Sequence, residues 1–224
     1  MDILHRTRLL IGPAATDTLQ KSTVMVVGCG AVGSFAIEAL ARTGIGNLVL
    51  IDSDVIEESN INRQLFALNS TINQPKVDVA ASRIRDINPD VNVTAIKTFF
   101  DDATELSVMP DFVIDAIDTV SSKIALYKWC MARNVPFVSS MGAARKTDPT
   151  QIKIAKISKT SVCPLAAKIR KIVRDEHLND FDVVYSTEPA TVTDSARIFG
   201  SIITVTGTFG LIMANYAINA IIHK

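Results

Sequence analysis

Three glycines in "GCGAVGS", Gly28, Gly30 and Gly33, follow the apolar run "TVMVV" and lead into "FAIEALARTG". In a G-x-G-x-x-G arrangement glycine allows a tight turn, close approach of backbone to phosphate, and packing of the next helix, whose first amides attract the anion. Either a dinucleotide or ATP fits such a cradle. Asp52, 19 residues beyond Gly33 at the end of "NLVLI", suits a ribose, which both ligands carry. The stretch that follows narrows the choice. "DSDVIEESNINRQLFALNSTINQPK" brings Asp54, Asn60, Arg63, Gln64 and Lys76 into one loop and the start of one helix. A nicotinamide needs no such set, whereas charge developing on an attacked α-phosphate and a departing pyrophosphate is stabilised by fixed guanidinium and ammonium groups. Asp118 in "VIDAIDTV" stands at another strand end, where a carboxylate serves as a magnesium ligand or as the N-cap of the next helix.

Positioning these groups requires alternating strands and helices. Residues 23–27 read as a buried strand, 31–43 as a helix and 47–51 as a second strand, a βαβ unit. A helix fits "QPKVDVAASRIRDIN", with Pro75 in its first turn and Val77, Ala80, Ala81 and Ile84 at helical spacing. Strands fit "VNVTAI", "FVIDAI" and "PFVSS", and a helix fits "SSKIALYKWCMARN" between the last two. The strand "IKIAKI", the helix "CPLAAKIRKIVRDEH" and the strand "FDVVYS" follow, and 187–200 reads as a loop. The pattern predicts a Rossmann-like, doubly wound α/β fold with a mostly parallel sheet, helices on both faces and a mixed C-terminal part. No repeat or linker divides residues 1–224. One domain is expected, its nucleotide part at about 20–140 and its substrate part at about 141–224.

Composition removes several function classes. The 23 basic and 23 acidic residues cancel, so no overall field advertises a nucleic acid or a membrane, and any such partner must meet a local patch. Cys29, Cys130 and Cys163 form no C-x-x-C pair and His5, His177 and His223 are scattered, so no zinc site is legible. Cys29 reads as a small residue in the loop and Cys130 as core. Cys163 reads either as a small buried residue at a helix start or as a reactive thiol. No secretory signal is read at the N-terminus, and a cytoplasmic protein is expected. Residues 201–222 carry no charge and are long enough to cross a bilayer, but Gly207 and Gly210 split the stretch, Thr204, Thr206 and Thr208 alternate like a strand, and Asn215 and Asn219 would be costly in lipid, which favours a buried strand followed by a buried helix. Membrane association is not expected.

The glycine loop, the strand-end Asp52, "NINRQ", "QPKVDV" and "VIDAIDTV" together resemble the adenylating domain of ubiquitin-activating enzymes and of the activators of thiamine and molybdopterin biosynthesis. That resemblance implies attack of a carboxylate on the α-phosphate of ATP-magnesium, with Asp52 at the ribose, Arg63 and Lys76 at the phosphates and Asp118 at the metal. "RTRLLIG", "SSMGAARKTDPTQIKIAKISKTSVCPLAAKIRK" and "VVYSTEPA" extend the likeness to the tRNA threonylcarbamoyladenosine dehydratases. It implies ATP-driven closure of a hydantoin ring on tRNA, a homodimer, and an Arg8 that enters the neighbouring subunit's ATP site. It leaves open a monovalent cation and a sulfur-transfer partner. The sequence supplies a matching patch: 153–174 holds seven basic residues and no acid, and Lys159, Lys168, Arg170 and Lys171, with Arg145 and Lys146 nearby, are the tRNA-binding candidates. A rival reading is activation of a ubiquitin-like sulfur carrier, and a second is a nucleotide-binding partner without catalysis.

Overall fold

The computed structural model describes residues 2–191 and 199–223; the predicted loop at 187–200 falls partly outside them. Two short helices, α1 (His5–Ile11) and α2 (Pro13–Lys21), precede β1 (Thr23–Val27). The chain continues through α3 (Gly33–Thr43), β2 (Asn47–Ile51), α4 (Lys76–Ile87), β3 (Asn92–Ile96), β4 (Phe112–Asp115), α5 (Val120–Ala132) and β5 (Phe137–Ser140). It ends with β6 (Ile152–Lys156), α6 (Pro164–Asp175), β7 (Asp182–Ser186) and α7 (Ile203–Ile222). Every strand read from the sequence before residue 200 is present. Helix α4 starts one residue after Pro75, which caps it.

One seven-stranded sheet runs in the order β3-β2-β1-β4-β5-β7-β6, parallel except for β6, which pairs antiparallel to β7 at the edge. The interior strands are short, apolar and β-branched because both faces are covered, and Val24 to Val27 and Leu48 to Ile51 are almost wholly buried. The order reverses between β1 and β4, so the loops leaving their carboxyl ends diverge and open a crevice there. Pairing between β5 and β7 is brief, with only Ser139↔Val183 and Ser140↔Val184 in register. One core lies beneath α3, α4 and α7, another beneath α5, and a third joins α5 to α6.

Helix α7 corrects the expectation of a strand followed by a helix at 201–222. It is continuous for 20 residues. Gly207 and Gly210 do not break it; they let it press onto α3, where a Cβ on Gly210 would fall 2.2 Å from the Val32 carbonyl oxygen. Two of the alternating threonines bond within the helix, Thr206 Oγ1 donating to the Ile202 carbonyl at 3.4 Å and Thr208 Oγ1 to the Thr204 carbonyl at 2.7 Å. Helix α7 is long and apolar enough to span a membrane, but its inner face, including Val205, Phe209, Met213, Ala214 and Ala217, is packed into the first core.

Candidate functional site

A cavity of about 710 Å³ opens at the β1/β4 crevice. Its walls include Gly28, Gly30, Asp52, Asp54, Arg63, Gln64, Lys76 and Asp118, eight of the residues singled out in the sequence. Each arrives by a separate device. Gly28 follows β1 with φ +94, and a Cβ there would lie 2.6 Å from the Ala116 carbonyl oxygen after β4. At Gly33 a Cβ would lie 1.8 Å from the Gly28 carbonyl oxygen, so this glycine seats α3 against the turn without reaching the cavity. Gly30 differs. A Cβ there would meet only the Gln64 side chain, at 3.6 Å, so its own fold does not demand glycine, and the room above it is free for a ligand.

Asp52 completes the turn. Its carboxylate accepts the Cys29 amide at 2.7 Å and the Asp54 amide at 2.8 Å. Burial raises its proton affinity above the ordinary carboxylate value, against the pull of Lys76 and of the two amides. Lys76, buried at the start of α4, donates from Nζ to Asp54 Oδ2 at 2.8 Å, so the ammonium that suits a phosphate is held by an exposed carboxylate that a polyanion can displace. Arg63 is steadied by the Ser59 carbonyl and Asn62 Oδ1, both at 2.8 Å. Leu65 donates its amide to the buried Ser34 hydroxyl at 3.1 Å, tying this loop to α3. Asp118 is exposed on the β4–α5 loop and accepts a hydrogen bond from the Thr119 hydroxyl at 3.3 Å. Among the described residues no cluster of three metal-ligating side chains exists. The exposed Asp118 carboxylate at the cavity wall fits magnesium, which keeps several waters and draws further oxygens from phosphates.

Other predicted residues lie elsewhere. Asn60 is buried, its Oδ1 accepting the Glu57 amide at 3.1 Å, and it shapes the loop without lining the cavity. Arg8 sits on α1, paired with Asp2, away from this chain's cavity. Lys146 is a correction to the proposed surface patch: it is buried, with Nζ bonded to the Glu188 carbonyl. Arg145 adopts φ 60 and lays its guanidinium 3.9 Å from the Phe199 ring centre. Arg170 is half-buried and holds the Thr160 carbonyl at 2.9 Å. Lys159, Lys168 and Lys171 are exposed and form no ion pair among the described residues. A second groove of about 660 Å³ starts at Thr119, a residue it shares with the cavity, and runs between α5 and α6 past Lys128 and Lys168.

Thiol chemistry is not built into the loop. Cys29 is buried and its thiol is pushed well above its ordinary value by burial and by Asp52; Cys130 is raised likewise by burial and by Asp115. Cys163 is buried at the N-cap of α6. The far wall of the cavity was not legible in the sequence. Phe99 and Phe100 after β3, Met141 to Ala144 after β5, and Leu165, Phe199 and Thr206 form it, and their only sequence signal was a run of small residues, "SSMGAA", after a strand.

A glycine cradle at the switch point, a ribose-suited carboxylate, two phosphate-suited cations and a metal-suited aspartate define an adenylate-forming nucleotide-binding protein. The chain belongs to the ThiF family, which matches residues 4–224. It is 47% identical over 197 residues to a tRNA threonylcarbamoyladenosine dehydratase of Bacillus subtilis, covering 86% of this chain and 78% of that one. The crystal structure of the Escherichia coli tRNA N6-threonylcarbamoyladenosine dehydratase in complex with ATP superposes with a TM-score of 0.92 at 38% identity, over 98% of this chain and 93% of that one. A SAMP-activating enzyme E1 of Haloferax volcanii is more distant, 31% identical over 216 residues, 96% of this chain and 72% of that one.

The three glycines should separate under substitution. Gly30→Ala is expected to keep wild-type thermal stability and to lose ATP affinity, whereas Gly33→Ala is expected to lower stability by at least the roughly 1–3 kcal/mol typical of overpacking. Thermal unfolding and calorimetric ATP titration check both; unchanged ATP affinity in Gly30→Ala would mean that the loop does not approach phosphate.

Proposed function

We propose that this chain is an ATP-dependent tRNA threonylcarbamoyladenosine dehydratase. ATP lies with its ribose at Asp52 and its phosphates over Gly30, Arg63 and Lys76, with Asp118 holding magnesium, which neutralises phosphate charge when bound. The threonyl carboxylate of the modified adenosine attacks the α-phosphate and pyrophosphate leaves. A nitrogen of the same substituent then attacks the activated carbonyl, closing the ring and releasing AMP, a net loss of water. The second nucleophile is already tethered, so proximity supplies much of the rate and no protein nucleophile is needed. That agrees with the buried, protonated Cys29 and Cys130.

The observation that carries this reading is that Thr119 borders both the ATP-suited cavity and the groove edged by Lys168. A tRNA backbone following α6 can place a base in the cavity while Lys159, Lys168 and Lys171 neutralise phosphates. Helix α6 is built for this, since Ala166, Ile169 and Val173 are buried while its Lys168 and Lys171 are exposed. Activation of a ubiquitin-like carrier gives no role to that basic face. A homodimer belongs to the same reading: Leu9 and Leu10 on α1 are 74% and 85% exposed, apolar surface that a second copy would cover while bringing Arg8 to the neighbouring ATP site.

Incubation with ATP-magnesium and tRNA bearing threonylcarbamoyladenosine should release AMP and yield a nucleoside lighter by one water in mass spectrometry; an unchanged nucleoside overturns the assignment. Lys76→Ala and Asp118→Ala are each expected to reduce AMP release by about 10²–10³-fold with the fold retained. Replacing Lys159, Lys168 and Lys171 by Gln should weaken tRNA binding and flatten its dependence on salt while leaving ATP affinity unchanged, because fewer counterions are displaced. An identical salt slope would remove these lysines from the tRNA surface. Arg8→Ala and Lys76→Ala proteins, each strongly impaired alone, should regain activity when mixed and re-equilibrated, since one site of the heterodimer then holds both native side chains; heterodimers with no gain in activity would refute sharing of the site.

A further inference from the structure

Lys123 on α5 and Asp115 at the end of β4 are both fully buried, and neither lines the cavity. Lys123 Nζ donates to Asp115 Oδ2 at 2.7 Å, to the Ser140 carbonyl at 2.8 Å and to Ser139 Oγ at 3.2 Å, so all three ammonium hydrogens have acceptors. Ser139 Oγ in turn donates to Asp115 Oδ2 at 2.5 Å, and the Tyr127 hydroxyl lies 2.7 Å from it. The second carboxylate oxygen of Asp115 accepts the Ile117 amide at 3.0 Å. This network stands where β4 and β5 part. Their pairing ends at Asp115↔Ser139; from there one strand leads through Ile117 to Asp118, and the other through Ser140 to Met141 and Gly142, and both segments line the cavity.

A buried ion pair is a poor source of stability, since apolar residues of the same size often serve as well or better, but it fixes direction in a way that apolar packing does not. We infer that Lys123 is a positioning residue: it locks the Asp118 loop to the loop after β5, so that the ATP end and the acceptor end of the cavity keep one spacing. The inference rests on the function proposed above. A direct proton-transfer role is excluded by geometry, because Lys123 has no exposure and all its donors are engaged. Its action is through the two backbones that it ties.

The test is the double variant Asp115→Asn/Lys123→Met, which removes the pair without leaving a buried charge alone. It should fold and bind ATP near the wild-type affinity, while turnover at saturating ATP-magnesium and modified tRNA falls about 10²-fold, the effect of a misplacement near 1 Å. Lys123→Arg, which keeps the donors, should recover part of that loss. Hydrogen exchange of the amides at 116–119 and 140–144 should quicken in the double variant while α3 stays protected. A folded double variant with wild-type turnover overturns the inference, as does a loss of ATP affinity equal to the loss of turnover, which would mark a general stabiliser. If the double variant does not fold, Ser139→Ala decides: normal turnover and normal exchange in both loops defeat the inference. Absence of AMP from the wild type run alongside defeats the functional reading instead, and exchange in the two loops still judges the role of Lys123.

Discussion

The approach of the first turn to the end of β4 constrains everything built around the cavity. With the Gly28 Cα facing the Ala116 carbonyl and Gly33 seated on the Gly28 carbonyl, no side chain can intervene at either point. The absence of a Cβ sets how near α3 comes to the sheet, and therefore where its first amides point. Asp52 then fastens the turn from the side by accepting the Cys29 amide. Its carboxylate shapes the cradle as well as suiting a ribose, which explains why an acid is kept in a place where burial works against its charge.

Much of this was legible in the sequence because it depends on local chemistry. Strand runs rich in apolar residues, a G-x-G-x-x-G turn and helical spacing at Val77, Ala80, Ala81 and Ile84 are read within short windows, and the elements appear where those windows fall. Helix α7 was misread because its signals point outward to a partner. Gly207 and Gly210 look like breaks until α3 is known to lie against them, and the alternation of threonines mimics a strand until the Thr206 and Thr208 hydroxyls are seen to bond within the helix. Sequence periodicity reports one element's own face; it carries no information about a neighbour that comes close enough to require glycine.

The site divides along the same line. Asp52, Arg63, Lys76 and Asp118 were found because charge at a strand end or beside a helix start has a direct chemical meaning. Lys146 shows the limit of that reasoning. Its place beside Arg145 suggested a surface patch, yet the lysine turns inward to a carbonyl more than forty residues away, a partner that sequence neighbours do not reveal. The apolar wall of Phe99, Met141 and Leu165 was invisible for the opposite reason, since such residues read as core until the empty space beside them is known.

The brief pairing of β5 with β7 has a consequence for how such a protein can diversify. Only two residue pairs join the β6–β7 edge, with α6 beside it, to the rest of the sheet. The seam is spanned by α7, which packs across β4, β5 and β7 mainly through apolar side chains, and by the core that joins α5 to α6. Contacts of that kind are non-directional and tolerate exchange of one hydrophobic residue for another when volume is kept. A lineage can therefore remodel the α6 side, its groove and its charges, while the glycine cradle is inherited intact, the joint between them acting as a greased coupling in place of a weld.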